Sequence, residues 1–275
     1  ATLGLSGGFV WLAVVSTRTD AGAGRATAFD PATGEVRWQR QLGAAAVAVV
    51  TPPGSRPLLV DEAGGVSELP ADGAGPAKVL ALPVDRPTGR AQAAVSADGK
   101  AAWVLVPEAG KDGPRLRVRA AVGGAGKPDA ELPLPAAVAG AAVAVDGGFV
   151  VPLANGSVYR FAGAGGLKQG PLWRAADAPA DAVGFVAVLP DGDLLLTDGR
   201  QRVARWRWPA GGTPERRPSD WEARGRVVLP PAVLPDGKRF AVADAGGHVL
   251  LFDADTPGDA VKQWRGRGLP AGEPT

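Results

Sequence analysis

One motif recurs six times along this chain: an apolar run reaches a tight Gly turn, and a second apolar run follows at once. The copies read LGLSGGFVWLAVV, VAVVTPPGSRPLLV, AAVSADGKAAWVLV, AAVAVDGGFVVPLA, VAVLPDGDLLLTD and PAVLPDGKRFAVAD, with turn glycines Gly8, Gly54, Gly99, Gly147, Gly192 and Gly237. Successive glycines stand 46, 45, 48, 45 and 45 residues apart. A unit of roughly 40–50 residues made of short strands cannot bury its own apolar faces and must stack on its neighbours, which is the plan of a β-propeller blade. Six such units take up nearly all of the 275 residues. The expected fold is therefore all-β, a six-bladed β-propeller of four-stranded antiparallel blades, with seven blades as the alternative should a terminal repeat be degenerate. The blades fall at about 1–43, 44–86, 87–136, 137–178, 179–224 and 225–268, one propeller domain over 1–268 with a polar tail or linker at 269–275.

Within a blade the strands are taken as a to d, a innermost and d outermost. The last repeat shows the plan: VVLPPAV as a, RFAVAD as b, HVLLFDA as c and VKQWRG as d. Asp-Gly at 98–99, 146–147, 191–192 and 236–237 places a residue tolerant of positive φ before one indifferent to it, as an a–b turn requires. Strand d carries a Trp in four repeats, Trp38, Trp173, Trp221 and Trp264. At a fixed blade position such a residue is expected to be buried against the neighbouring blade.

Composition narrows the chemistry. Forty Gly and 26 Pro would suggest low complexity, but they punctuate apolar runs at fixed offsets and read as turns. There is no Cys, no Met and one His, His248. Thiolate chemistry and disulfides are thus excluded, and a Ser nucleophile has a single imidazole to draw on. Thirty basic against 28 acidic residues is far from the imbalance of a dedicated nucleic-acid binder. The opening apolar run is divided by Gly7-Gly8 as the other repeats are, so it reads as two strands and no membrane insertion is expected. Without an initiating Met the chain reads as a processed or excised piece, which suits an extracytoplasmic domain.

The segment Ala28-Phe29-Asp30-Pro31-Ala32-Thr33-Gly34-Glu35-Val36-Arg37-Trp38 resembles the A-x-D-x-x-T-G-x-x-x-W repeat of quinoprotein-type (PQQ-like) propellers. VLPDGKRFAVADAGGHVLLFDA and VLPDGDLLLTDGRQRVARW resemble bacterial WD40-type repeats, in which a P-D-G-x turn precedes strand b. The likeness implies the propeller fold and, in non-enzymatic relatives, envelope-assembly or sensor roles. Quinoprotein dehydrogenases hold their cofactor over Ca²⁺ with eight blades and an adjacent-Cys disulfide. Six repeats and no Cys carry none of those residues over.

No P-loop, dinucleotide, EF-hand or zinc spacing is present, and no catalytic, cofactor or metal residue is nominated. The b–c and d–a loops should share one face, where Arg86, Arg90, Asp198, Arg200, Arg224, Arg226 and Asp244 form a mixed-charge candidate surface for a protein or peptide partner. Two basic strands, with Arg115, Arg117 and Arg119 on one and Arg205 and Arg207 on the other, read as rim strands whose guanidinium groups reach solvent. The expectation is a non-catalytic interaction or ligand-sensing module of a larger bacterial protein. The alternatives are an envelope assembly scaffold and a six-bladed hydrolase or quinoprotein-type enzyme with a Ca-dependent site.

Overall fold

The computed structural model describes residues 2–6, 9–13, 25–30, 33–42, 44–50, 56–70, 76–96, 99–122, 129–161, 167–209 and 212–265. They form six four-stranded sheets, each an antiparallel meander, and no helix occurs among the described residues. The chain divides into two compact units, Ala1–Pro135 and Ala136–Thr275, with three sheets in each.

In the first unit the sheets are β1 (Thr2–Ser6), β2 (Phe9–Ala13), β3 (Arg25–Phe29) and β4 (Val36–Gln41); β5 (Ala46–Val50), β6 (Leu58–Asp61), β7 (Val66–Glu68) and β8 (Lys78–Ala81); and β9 (Gln92–Val95), β10 (Ala102–Gly110), β11 (Gly113–Val122) and β12 (Ala130–Pro133). In the second they are β13 (Val143–Val145), β14 (Gly148–Pro152), β15 (Ser157–Phe161) and β16 (Leu167–Leu172); β17 (Val186–Val188), β18 (Leu194–Thr197), β19 (Arg202–Arg207) and β20 (Glu215–Glu222); and β21 (Ala232–Val233), β22 (Arg239–Ala243), β23 (His248–Asp253) and β24 (Lys262–Arg265).

The core follows from strand periodicity. Successive side chains of a strand point to opposite faces, so a sheet flanked on both sides divides its apolar residues between two interfaces. In β18, Leu194 and Leu196 join a cluster with Val150, Val158, Trp173 and Trp208, while Leu195 joins one with Val203, Trp221, Phe240 and Phe252. β6 does the same in the first unit: Leu59 packs with Ala28, Ala46 and Leu69, and Leu58 and Val60 pack with Val66, Val104 and Val106. This double burial is why strand b is an unbroken apolar run. The outermost strands β8 and β24, by contrast, are almost wholly exposed.

The a–b turns take the expected conformation at Gly99 (φ 68), Gly147 (φ 69), Gly192 (φ 84) and Gly237 (φ 66). Gly8, Gly54 and Asp98 lie outside the described residues. Strand a of the last sheet is shorter than its sequence suggests, only Ala232–Val233, because Pro230 and Pro231 lack the amides that a ladder needs.

The strand d tryptophans divide. Trp173 is 3% exposed and Trp221 1% exposed, and each caps a between-sheet cluster. Trp38 is half-buried. Trp264 departs from the expectation of burial: it is 46% exposed and stands 5.2 Å from Lys262 Nζ. All four residues of β24 are exposed, and the ring shares that exposure. Trp208, just past the end of β19, is 4% exposed. Close packing has a measurable cost at Gly184, where a Cβ would meet the Trp173 ring at 2.7 Å and Pro152 Cβ at 2.9 Å. Gly184→Ala is expected to lose about 1–3 kcal/mol as overpacking, read as a lower urea midpoint with unchanged slope.

Candidate partner-binding face

In a meander every second connection leaves at the same end, so the b–c turns and d–a loops of a sheet emerge together. In the second unit these are the turns at 153–157, 198–202 and 244–248 and the loops at 173–185 and 223–231. Backbone hydrogen bonds lace them together. Ala175 N donates to Asp198 O (3.0 Å), Val227 N to Arg200 O (2.6 Å) and Ala245 N to Arg226 O (2.8 Å).

Asp198 and Asp244 are pins of these turns more than presented charges. Asp198 Oδ1 accepts from the amides of Arg200 (2.8 Å) and Arg202 (3.1 Å). Asp244, 3% exposed, accepts from Gly246 N (2.9 Å) and His248 N (3.0 Å) and meets His248 Nδ1 at 3.1 Å. Asn155 closes the corresponding turn of its own sheet by accepting from Ser157 N (3.0 Å). Asp61 does so in the first unit, accepting from Ala63 N (2.9 Å) and Gly65 N (2.8 Å).

The arginines are what this face presents. Arg200 pairs with Asp177, and Arg226 with Asp181 at 3.4 Å. Arg224 is exposed. Pairs this exposed contribute little to stability and exchange readily. Beside them lies a cleft of about 220 Å³ lined by Asp181, Val183, Phe185, Gly199, Arg226, Val227 and Val228. Its lip is apolar and open, with Val183 41% and Val228 38% exposed, and Leu229, next in the chain, is 58% exposed. Sequence reading missed these side chains because VVLPP was taken as strand a, which hid Val228 and Leu229 in an expected core. Arg86 and Arg90 belong to the first unit. They are exposed on the loop between β8 and β9, which is held by Thr88 N to Pro107 O (2.8 Å) and Ala91 N to Glu62 O (2.9 Å).

The two basic strands are internally neutralised. Arg115 meets Glu131 (2.6 Å), Arg117 meets Glu108 (2.8 Å) and Glu131 (3.0 Å), and Arg119 meets Asp129 (2.8 Å). Arg205 and Arg207 both donate through Nε to Asp193 at 2.9 Å, and Arg205 also holds Ala254 O (2.7 Å). Arg205 does not reach solvent as expected; its side chain is 13% exposed because Asp193, 2% exposed, draws it in. Burial pushes the Asp193 carboxyl up, but hydrogen bonds from Arg207 and Arg205 outweigh it and hold the group below its ordinary value. Among the described residues no three His, Asp or Glu side chains cluster as metal ligands.

No family model matches the chain, and no curated protein matches it in sequence. Solved structures do. BamB from Moraxella catarrhalis superposes with TM-score 0.54 at 15% identity, covering 97% of this chain and 74% of that one. A WD40 propeller structure, the mitotic checkpoint complex, superposes with TM-score 0.62 at 14% identity, covering 92% and 73%. The fold is a six-bladed β-propeller. Its sheets are the blades, and the propeller resembles both PQQ-like and WD40-type repeats, as the motifs implied. No helix of the propeller is long and apolar enough to cross a membrane among the described residues.

Proposed function

We propose that this propeller is a non-catalytic protein-interaction module of a larger bacterial protein. In this reading, the face carrying Arg200, Arg224 and Arg226 receives an apolar side chain of a peptide or protein partner. The observation that carries it is the cleft between Phe185 and Val228, whose open apolar lip is bordered by the loosely paired Arg226 and Asp181. An apolar anchor flanked by charge is the usual chemistry of a peptide site. The loops are tied by their backbones, so the site is largely pre-formed and binding costs little ordering. Both propellers it resembles support a scaffold role, one of them having been solved within a multiprotein complex. Arg86 and Arg90, exposed on a loop of the first unit, are proposed as partner-binding residues of that unit in their own right, and Asp198 and Asp244 as supports that hold the turns of the second in place.

Selection of a random peptide library on the 275-residue chain tests this. Enriched peptides are expected to share one large apolar residue next to charged ones. Arg200→Glu with Arg226→Glu, or Val228→Asp alone, should weaken the best peptide at least tenfold with the melting temperature nearly unchanged. Peptides that bind both variants as well as wild type would overturn the assignment. Steady turnover of a lactone, a phosphoester or an alcohol with a quinone acceptor, abolished by changing carboxylates on this face, would favour the enzyme alternative.

A further inference from the structure

Strand d of blade 5 (β17–β20) is bulged more deeply than that of the other blades, among the described residues. Register shifts between strands c and d occur in blades 1, 2, 4 and 5. In blade 1 one residue of strand d, Arg37, is left over between the pairs Ala28↔Trp38 and Phe29↔Val36. In blade 2 the extra residue is Leu80. In blade 4 Val158 stands opposite both Gly170 and Pro171. In blade 5 Arg205 stands opposite three residues, Arg217, Pro218 and Ser219, between the pairs Ala204↔Asp220 and Trp206↔Arg216. A bulge bends its strand and re-aims side chains away from the regular pleat. Beside this one, between β20 and the β23–β24 connection of blade 6 (β21–β24), runs an open cleft of about 810 Å³.

The cleft lining carries three guanidinium groups, of Arg202, Arg216 and Arg217, against one carboxylate, Asp220, with Pro218 and Pro257 as its apolar part. Arg216 is taken by Asp220. The other two are not satisfied within the chain. Arg202 is exposed, and its cross-strand neighbour Glu222 accepts from Gln201 Nε2 instead. Arg217 makes no hydrogen bond among the described residues. Its Nε stands 3.6 Å from Asp193, whose two oxygens already accept from Arg205 and Arg207 at 2.9 Å. Two cations of one cleft thus keep their donors for a ligand that brings acceptors. Pro218 offers no amide in the middle of this edge, so such a ligand is read by side chains and not as an added strand.

We propose that this rim cleft docks an acidic peptide segment, two of whose carboxylates pair with Arg202 and Arg217. The site is separate from the one at Val228, and the two clefts share no lining residue. Its volume lies in the range of clefts that take organic ligands and far above that of a single ion. Asp220 favours a peptide over nucleic acid. A phosphate backbone carries a charge at every step and would set one against this carboxylate, whereas a peptide spaces its acids with neutral residues that can pass it.

Fluorescence anisotropy of a dye-labelled Ser-Glu-Ser-Glu-Ser-Glu-Ser peptide on the 275-residue chain tests this, beside the same peptide with Gln for Glu and a thymidine heptanucleotide. The Glu peptide is expected to bind at least about tenfold more tightly than either control, and less tightly as salt rises. Arg202→Gln with Arg217→Gln should weaken it roughly tenfold or more. Lys78→Gln with Arg265→Gln removes the same charge from exposed positions on strand d of blades 2 and 6, and should change binding less than about twofold. Arg202→Gln alone changes an exposed side chain with no partner to lose, so the fold is kept, and it should still cost about threefold or more. A Gln peptide that binds as well as the Glu peptide, equal losses in the two double variants, an unaffected Arg202→Gln, or tighter binding of the oligonucleotide would overturn the proposal.

Discussion

Replacing Asp193 by Ala is expected to destabilise the protein by about 3–5 kcal/mol, the usual consequence of removing one partner from a buried ion pair. The large value comes from what is left behind. Arg205 and Arg207 each lose their acceptor at 2.9 Å, and Arg217 Nε loses a carboxylate at 3.6 Å. Arg205 is itself nearly buried, so water cannot fully replace the lost charge. Asp193→Asn keeps the shape and one acceptor and should fall between wild type and Ala. The pH dependence has a definite sign. The folded-state carboxyl lies below its ordinary value of 3.8, so its contribution is complete above that value and is lost as pH falls through the lower folded one. Melting curves of wild type and Asp193→Ala, far apart at neutral pH, should therefore converge only below pH 3.8. A gap that closes between pH 5 and 7 would show that another group carries the effect.

Trp221→Ala is expected to cost a comparable amount, about 3–5 kcal/mol. The ring is 1% exposed, packs edge-on against Phe240 with centroids 4.9 Å apart, and donates Nε1 to Thr256 O at 3.1 Å. Its loss leaves both a cavity between blades 5 and 6 and an unpaired carbonyl. Trp264, at the corresponding strand of the next blade, supplies the contrast. Its ring is half in solvent beside Lys262, so Trp264→Ala should stay within about 0.5 kcal/mol, as surface changes do. Urea midpoints of the two variants separate these outcomes. Equal losses would mean that Trp264 has a packing partner.

Why one strand d Trp is buried and another exposed marks the limit of what the chain reveals before folding. The blade period, the Asp-Gly turns and the apolar strand b runs depend on residues a few places apart, so they were legible. The environment of Trp264 depends on what covers β24, which spacing does not encode. The same distinction explains the arginines. Arg115, Arg117 and Arg119 were correctly set on one strand face, but their carboxylate partners sit on the adjacent strands β10 and β12 or just before β12. Only the cross-strand register shows that the stripe is neutralised. Asp193 follows an Asp-Gly turn and drew no reading of its own from sequence, while its strand face and burial make it an anchor. The cleft at Val228 was hidden for a different reason: Pro230 and Pro231 shorten strand a, and a run that looked like core became the lip of a cleft.

The lacing of the loops has an implication for how such a surface changes over time. The bonds that hold the turn at 198–202 and the loop at 223–231 in place use the carbonyls of Arg200 and Arg226 and the amides of Val227 and Ala245. Every amino acid has that carbonyl, and every one but proline has that amide. Rigidity and the recognition proposed for this face thus rest on different atoms of the same residues. Side chains at 200 and 226 can be exchanged for almost any other without loosening the loops, whereas a single inserted residue would shift every bond in the lacing. Lineages that inherit this propeller can accordingly acquire new partners by substitution at fixed loop length, and a laboratory library built the same way should retain the fold in most of its members.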